Sequence, residues 1–114
     1  MKLISSMRAA ILATPEQQAQ GLAGLEALPA DVDCWAFPID PPRRMGFDFT
    51  GMCLDLDLIE IGPDGKVAAI HREIAPGGRL VTSEVGIVLE LRGGDAERFG
   101  IRLGQHLSAT EMPA

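Results

Sequence analysis

The sequence is poor in aromatic and in basic residues. It has no tyrosine, one tryptophan and four phenylalanines, so aromatic residues make up 4% of 114 residues. Proteins that bind single strands use aromatic side chains as platforms on which bases stack, and this chain offers few. Ten Lys and Arg residues against 16 Asp and Glu give a net charge of −6. Because nucleic acids and anionic membranes attract basic surfaces, we expect neither as a partner.

Cysteines and long apolar runs are scarce as well. Cys34 and Cys53 are the two cysteines, and they form no CxxC pair and no disulfide framework. We expect both thiols to be reduced and mostly buried. Arg8 interrupts the apolar N-terminal segment, which argues against a signal peptide, and no segment approaches the roughly 20 apolar residues of a membrane span. These features predict a cytoplasmic protein.

The residues that are present suit a single domain spanning 1–114, as a monomer or homodimer. A chain of this length buries about two thirds of its unfolded surface, and its apolar fraction of 46% is ordinary for a globular domain. Short strands separated by turn signals predict a mainly β fold, a compact β-sandwich or barrel resembling a jelly roll, with two short helices.

Capping and alternation signals place the individual elements. Thr14 is an N-cap, Pro15 suits the first helical position and Gln17 completes a capping box, so a first helix is predicted there. Asp95 is predicted to cap a second helix that Gly100 closes. The proline-rich segment after residue 37 is expected to be an irregular loop. Strands are predicted over residues 7–13, 32–37, 53–61, 66–74 and 85–91, with a return towards strand over 101–109.

The clearest strand, 53–61, has apolar residues on both faces. Strict alternation would bury Leu56 and Leu58, but Ile59 and Ile61 share the face of Asp57. Either a bulge shifts the phase near Leu58, or the strand lies between two packed surfaces with its aspartate end exposed.

The turn that follows this strand determines what the aspartates meet. Residues 62–65 read Gly-Pro-Asp-Gly, which favours a three-residue loop with the last glycine at positive φ. That register places Asp57 opposite His71. A four-residue loop would instead place Asp55 opposite Arg72. The turn chemistry favours the first register.

In the favoured register Asp55, Asp57, His71 and Glu73 form one polar cluster. A histidine beside carboxylates can bind a divalent ion or hold a proton near neutral pH, although a solvated sheet end with one cross-strand ion pair would look the same. A single histidine supplies too few ligands for a zinc site. Hydrolase, zinc-protease and dinucleotide-binding motifs do not occur in the sequence. We therefore predict no metal and no cofactor.

Three arginines form a second candidate site. Arg43, Arg44 and Arg79 lie in segments rich in proline or glycine, and loops often carry binding residues. Three guanidinium groups in an acidic chain could form an anion pocket. Alternatively, they are solvated or neutralise nearby carboxylates.

Several motifs along the chain resemble a bacterial and archaeal family, domain of unknown function 192 (DUF192). They are T-P-E at 14–16, G-L at 21–22, F-P at 37–38, L-D-L at 56–58, D-G-K-V at 64–67, V-L-E-L at 88–91 and A-E-R-F-G-I-R-L-G at 96–104. The resemblance implies a compact β-sandwich resembling a jelly roll, and it implies no established activity.

The sequence departs from the family motifs at polar positions. The family's F-W-M-K-N-T stretch reads F-D-F-T-G-M at 47–52, so the tryptophan, lysine and asparagine are lost. Gln20 replaces the arginine of an R-G-L-M motif, and Gln105 replaces the aspartate after the last motif. If those residues form the family's working surface, this chain binds something else.

Two hypotheses about function follow. The first is a non-enzymatic domain that binds a small ligand or a protein, with Asp57, His71, Arg43, Arg44 and Arg79 as candidate binding residues. The alternative is a metal-dependent or hydrolytic enzyme that uses the region of Asp57 and His71. A deep pocket in which Asp57, His71 and an arginine converge would favour the enzyme.

Overall fold

A computed structural model describes residues 2–111 and contains nine strands and two short helices within them. The mainly β fold with two short helices is thereby confirmed. The elements are β1 Lys2–Ile4, β2 Met7–Ile11, α1 Pro15–Gln20, β3 Cys34–Arg43, β4 Gly46–Asp48, β5 Leu56–Ile61, β6 Val67–Ile74, β7 Arg79–Val81, β8 Val85–Arg92, α2 Asp95–Arg98 and β9 Ala109–Glu111.

Seven strands form one mixed sheet in the order β6-β5-β8-β3-β2-β1-β9, and β4 pairs with β7 in a second, two-stranded sheet. All pairs are antiparallel except β2 and β3, which are parallel and connected through α1. Lys66 bridges to His106, and the amide of Leu107 donates to the carbonyl of Gly65. The segment before β9 therefore lies against the start of β6, and the two ends of the large sheet approach each other.

The large sheet packs an apolar core on each face. One core includes Cys34, Ala36, Ile59, Leu89 and Leu91. The other includes Trp35, Phe37, Leu56, Leu58 and Val88, against which Phe47 of β4 and Leu80 of β7 pack. The two-stranded sheet and the segment after α1, which contributes Leu22, thus cover the second core.

Strand β5 lies between the two cores, and all six of its residues are buried. This position between two packed surfaces explains the two apolar faces of the strand. The expectation that the aspartate end is exposed is confirmed for Asp55 and wrong for Asp57, which is 0% exposed. Burying an ionisable side chain to that extent requires compensating hydrogen bonds.

The first helix has the predicted cap. The hydroxyl of Thr14 accepts from the amide of Gln17, whose side chain accepts from the amide of Thr14. The cap predicted for α2 is wrong, because Gly94 occupies the N-cap position and Asp95 lies in the first turn. No helix among residues 2–111 is long and apolar enough to cross a membrane.

Strand β3 continues through the segment expected to be an irregular loop. Pro38 lies opposite Ile87 and Arg43 opposite Val85, with an irregularity between them. Prolines cannot donate to a β ladder and are tolerated at bulges and interruptions, which is where Pro41 and its neighbours lie. The strand expected after residue 101 is short and confined to Ala109–Glu111.

The predicted turn at 62–65 forms, but the register beyond it differs. The amide of Gly62 donates to the carbonyl of Lys66 at 2.9 Å, and Gly65 has φ of 81°. Register shifts in the pairing of β5 with β6 then place Leu58, and not Asp57, opposite His71. The prediction that Asp57 faces His71 is wrong, because β6 contains irregularities that the turn sequence does not indicate.

The two cysteines are free and differ in exposure. Cys34 is buried in β3, whereas Cys53 is exposed in the segment before β5. The expectation of burial is therefore confirmed for Cys34 and wrong for Cys53. Burial raises the pKa of the Cys34 thiol to about 12, so little of the reactive thiolate forms at neutral pH.

We expect iodoacetamide to modify Cys53 rapidly in the native protein at pH 8 and Cys34 only after denaturation. The physical reason is the burial of the Cys34 thiol, which both blocks access and suppresses ionisation. Mass spectrometry of tryptic peptides measures the two rates separately. In Cys53→Ser, native labelling should disappear. Labelling of Cys34 at the native rate of Cys53 would contradict the described burial.

Candidate functional site

A cavity of about 560 Å³ lies over the second core, between α1 and the two-stranded sheet. Its volume falls within the range of small-molecule sites, roughly 300–1,000 Å³. Most of its wall is apolar and includes Leu22, Phe37, Met45, Phe47, Phe49 and Met52.

Strand alternation and local backbone contacts set the aromatic part of the wall. Phe37 lies two residues after Trp35 in β3 and therefore on the same face, and both pack in the second core. Phe47 of β4 meets Phe37 edge to face, with ring centroids 5.6 Å apart. The amide of Phe49 donates to the carbonyl of Gly78 at 2.8 Å. These contacts fix the aromatic wall on both sheets.

Helix α1 forms the opposite wall. The side-chain amide of Gln18 donates to the carbonyls of Leu12 and Pro38, each at 2.9 Å, and so holds the helix against the large sheet. Gly21 ends the helix with φ of 51°. A Cβ added there would lie 4.0 Å from Oε1 of Glu90. The end of the helix therefore lies next to the carboxyl group of Glu90.

Glu90 is the buried ionisable residue of the cavity wall. It lies on β8 between Leu58 of β5 and Trp35 of β3, and it is 4% exposed. Neither a hydrogen bond nor an ion pair joins its carboxyl group to any residue between 2 and 111. Burial raises the pKa of Glu90 to about 7. The carboxyl group is therefore divided between its neutral and charged forms at neutral pH.

The rim of the cavity carries a second carboxylate. Asp48 is exposed, and its Oδ1 accepts from the amide of Thr50 at 2.8 Å. Its Oδ2 lies 3.6 Å from Nε of Arg79. The hydrogen bond from Thr50 and the charge of Arg79 lower the pKa of Asp48. Among the described residues, Asp48 and Glu90 are the only charged ones that line this cavity.

The structure separates the predicted arginine group. Arg79 lies on β7 and reaches the rim through Asp48, whereas Arg43 and Arg44 are exposed at the end of β3. Nη1 of Arg43 lies 3.5 Å from the carbonyl of Pro41. None of the contacts described within residues 2–111 joins Arg79 to the other two. Anion binding by these arginines stays a prediction.

Asp57 faces the first core, away from the cavity. Its carboxylate accepts from the amides of Glu73 at 2.8 Å, Gly94 at 3.1 Å and Ala96 at 2.8 Å. Glu73 lies in the irregular part of β6 with φ of 52°. Asp57 therefore stabilises the irregular backbone of β6 at Glu73. It also supplies the side-chain cap of α2 that was predicted for Asp95.

His71 pairs with a carboxylate, but with Glu60 in place of Asp57. Nε2 of His71 lies 2.5 Å from Oε2 of Glu60, and Oε1 of Glu60 accepts from the amide and hydroxyl of Ser83. Burial raises the pKa of Glu60, but the hydrogen bonds from Ser83 and His71 outweigh burial and lower it overall. Within residues 2–111, no three His, Cys, Asp or Glu side chains are grouped to hold a metal.

Sequence reasoning did not single out Glu90. The available signal was a lone carboxylate between Leu89 and Leu91, in a strand with apolar residues on both faces. The same signal drew attention to Asp57. What distinguishes the two residues is their surroundings, since the backbone amides of α2 surround Asp57 and an open cavity borders Glu90.

The fold and this cavity define a small, mainly β domain with a concave, largely apolar site. The DUF192 family model, described as uncharacterised ACR, matches residues 2–109. The chain belongs to this family, as the motifs indicated. Gln20, Asp48 and Thr50, three positions at which the sequence departs from those motifs, all line the cavity.

Two solved structures are similar to this chain, whereas no curated protein matches it. A protein of unknown function from Novosphingobium aromaticivorans DSM 12444 is 28% identical, with a TM-score of 0.80 over 90% of this chain and 74% of that one. A protein from Sinorhizobium meliloti 1021, named as a proposed transcription regulator, is 26% identical. Its TM-score is 0.79, and the match covers 89% of this chain and 80% of that one. Both similarities concern the fold over most of each chain.

Proposed function

We propose that this domain is a non-enzymatic binding protein that takes a small organic ligand into the cavity beside α1. The observation that carries the proposal is the combination of a cavity of about 560 Å³ with one buried, unpaired carboxyl group in its wall. Small-molecule sites typically combine an apolar wall with a few polar groups that orient the ligand. Glu90 supplies such a group, and the side-chain amide of Gln20 adds hydrogen-bonding capacity.

A small ligand fits these observations better than a protein partner does. Protein interfaces are marked by contiguous apolar patches. The exposed large apolar side chains among the described residues are Leu25, Val81 and Leu103, and they belong to three separate segments of the chain. The cavity beside α1 is instead a concave, mainly apolar surface, and its volume of about 560 Å³ suits a small molecule.

The contacts of Asp57 and His71 also favour a binding function over an enzyme that would use these two residues for catalysis. The alternative hypothesis needs both side chains free to contact a substrate or a metal. Asp57 is excluded from solvent and accepts from backbone amides on two sides, and His71 is paired with the buried Glu60. Catalytic use of either residue would require these contacts to break.

We expect the neutral fluorescent probe N-phenyl-1-naphthylamine to bind the wild-type protein at one site and Ala19→Trp at least tenfold more weakly. Ala19 lies on α1, is exposed and lines the cavity, so an indole there occupies space that the probe needs. Fluorescence titration gives both dissociation constants.

Ala68→Trp is the matched control for this test. Ala68 is exposed on β6 and lines none of the described cavities. Its affinity for the probe should remain within twofold of wild type, about 0.4 kcal/mol. The proposal fails if the probe does not bind, or if Ala19→Trp binds it as tightly as Ala68→Trp does.

A further inference from the structure

We infer that the ligand is a compact organic cation, an ammonium or amidinium group attached to an apolar or aromatic body. This inference rests on the proposed function and names the chemical class that the cavity selects. It is carried by the charges, the contacts and the shape of the cavity wall.

The charges of the wall have one sign. Glu90 and Asp48 are acidic, and the wall has no lysine or arginine among the residues described. An anionic ligand would therefore meet the Glu90 carboxylate, while Arg79, the cation at the rim, is already paired with Asp48. Where Glu90 is ionised, a neutral ligand would leave its carboxylate buried without a partner, which is unfavourable. A cation supplies the partner that Glu90 lacks.

The nearest cation on the same strand does not fill this role. Arg92 lies two residues beyond Glu90 on β8 and therefore on the same face. Its guanidinium donates to the carbonyls of Val32 at 2.8 Å and Pro29 at 2.6 Å and lies over the ring of Trp35 at 5.5 Å. Arg92 is thus engaged by a neighbouring segment, and the negative charge of Glu90 is available to a ligand.

The remaining wall indicates an organic cation with an apolar body. The rings of Phe37, Phe47 and Phe49 lie in the wall, and aromatic faces attract cations as well as apolar groups. A bare metal ion would require several oxygen ligands, and the described residues contain no such group. The volume of about 560 Å³ leaves room for a body of the size of a substituted benzene ring.

Three ligands with a common skeleton test this inference. Calorimetric titrations at pH 8 compare benzylamine, which is cationic, with neutral benzyl alcohol and anionic benzoate. We expect benzylamine to bind at least tenfold more tightly than benzyl alcohol, because one buried charge-assisted hydrogen bond contributes about that much. Benzoate should bind most weakly.

Two variants that each remove one negative charge distinguish a direct contact between the ligand and Glu90 from the effect of the protein's overall charge. Glu90→Gln should weaken benzylamine binding at least tenfold and leave benzyl alcohol within about twofold. Glu97→Gln removes an exposed carboxylate of α2 outside the cavity. It should change neither affinity by more than about twofold, because exposed charges are screened.

Benzylamine binding should also weaken from pH 8 to pH 6, as Glu90 takes up a proton. The other ionisable groups near Glu90 include Asp48 at the rim, Glu60 on β5 and His71, which pairs with Glu60. Asp48 at the rim is ionised throughout, as is Glu60 on the neighbouring strand, since both have lowered pKa values. Arg79 lies beside Asp48, and Arg92 lies on β8. Glu90→Gln should abolish this pH dependence.

The outcomes distinguish the ligand class from the proposed function. Equal or tighter binding of benzyl alcohol or benzoate overturns the cation inference, and so does a preference for benzylamine that survives in Glu90→Gln. In either case the cavity remains a binding site if Ala19→Trp blocks it. If the naphthylamine probe does not bind, the proposed function fails, and the inference that rests on it fails as well.

Discussion

Asp57→Ala should lower the free energy of unfolding by about 4 kcal/mol, because three backbone amides, of which that of Ala96 is buried, lose their acceptor together. These amides belong to Glu73, Gly94 and Ala96, so the loss reaches both β6 and α2. Asp57→Asn retains one acceptor oxygen and should lose roughly half as much. Urea denaturation followed by circular dichroism measures both changes.

Asp55→Asn is the control for this prediction. Asp55 lies two residues earlier in the same segment and is exposed, so its substitution should change the free energy of unfolding by less than about 0.5 kcal/mol. A loss below about 1 kcal/mol in Asp57→Ala would show that the three amides do not depend on Asp57. That result would return Asp57 to the list of candidate ligand-binding residues.

The wild-type protein should lose about 3 kcal/mol of stability relative to Glu90→Gln between pH 4.5 and pH 8. Burial raises the pKa of Glu90 to about 7, above its usual value of 4.5. The unfolded chain therefore ionises first as the pH rises, and ionisation favours unfolding until the folded protein also ionises. The contribution of Glu90 to the free energy of unfolding is fully present below pH 4.5 and is lost as the pH rises through 7. A difference of this size in pKa corresponds to about 3 kcal/mol.

Urea denaturation of both proteins at intervals across this range measures the difference. Glu97→Gln should follow the wild-type curve, because Glu97 is exposed. Glu60 does not interfere, since its lowered pKa places its contribution below pH 4.5, where stability is lost as the pH falls. Parallel curves for wild type and Glu90→Gln would mean that the Glu90 carboxyl group is either exposed or paired in solution.

The sequence was most informative where structure is local. The Thr14 cap depends on contacts within four residues, and the Gly65 turn on the conformational freedom of one glycine. Both formed as predicted. Irregularities in β6 and the extension of β3 depend on contacts between distant segments. Asp57, for example, binds Gly94, so no local pattern could reveal the shifted register.

The candidate site was less accessible to sequence reasoning for the same reason. Gln20, Asp48 and Glu90 come from three distant segments and meet only because α1 and the two-stranded sheet cover the same face. Asp57 and Glu90 show a similar local pattern, an acidic residue between apolar neighbours in a strand. Their opposite roles, a structural acceptor and an unpaired cavity group, are determined by what other elements place beside them.

The most direct measurement of the central claim is a titration of ¹⁵N-labelled protein with benzylamine at pH 8, followed by amide chemical shifts. We expect the largest shifts at the cavity, in residues 20–23, 46–50 and around Glu90, and their loss in Glu90→Gln. Smaller cavities of about 440 Å³ and 350 Å³ lie beside Leu28 and Leu54 and beside Ile70 and Leu103, and largest shifts there would place binding in one of them. That result would contradict the assignment of Glu90 as the group that recognises the ligand.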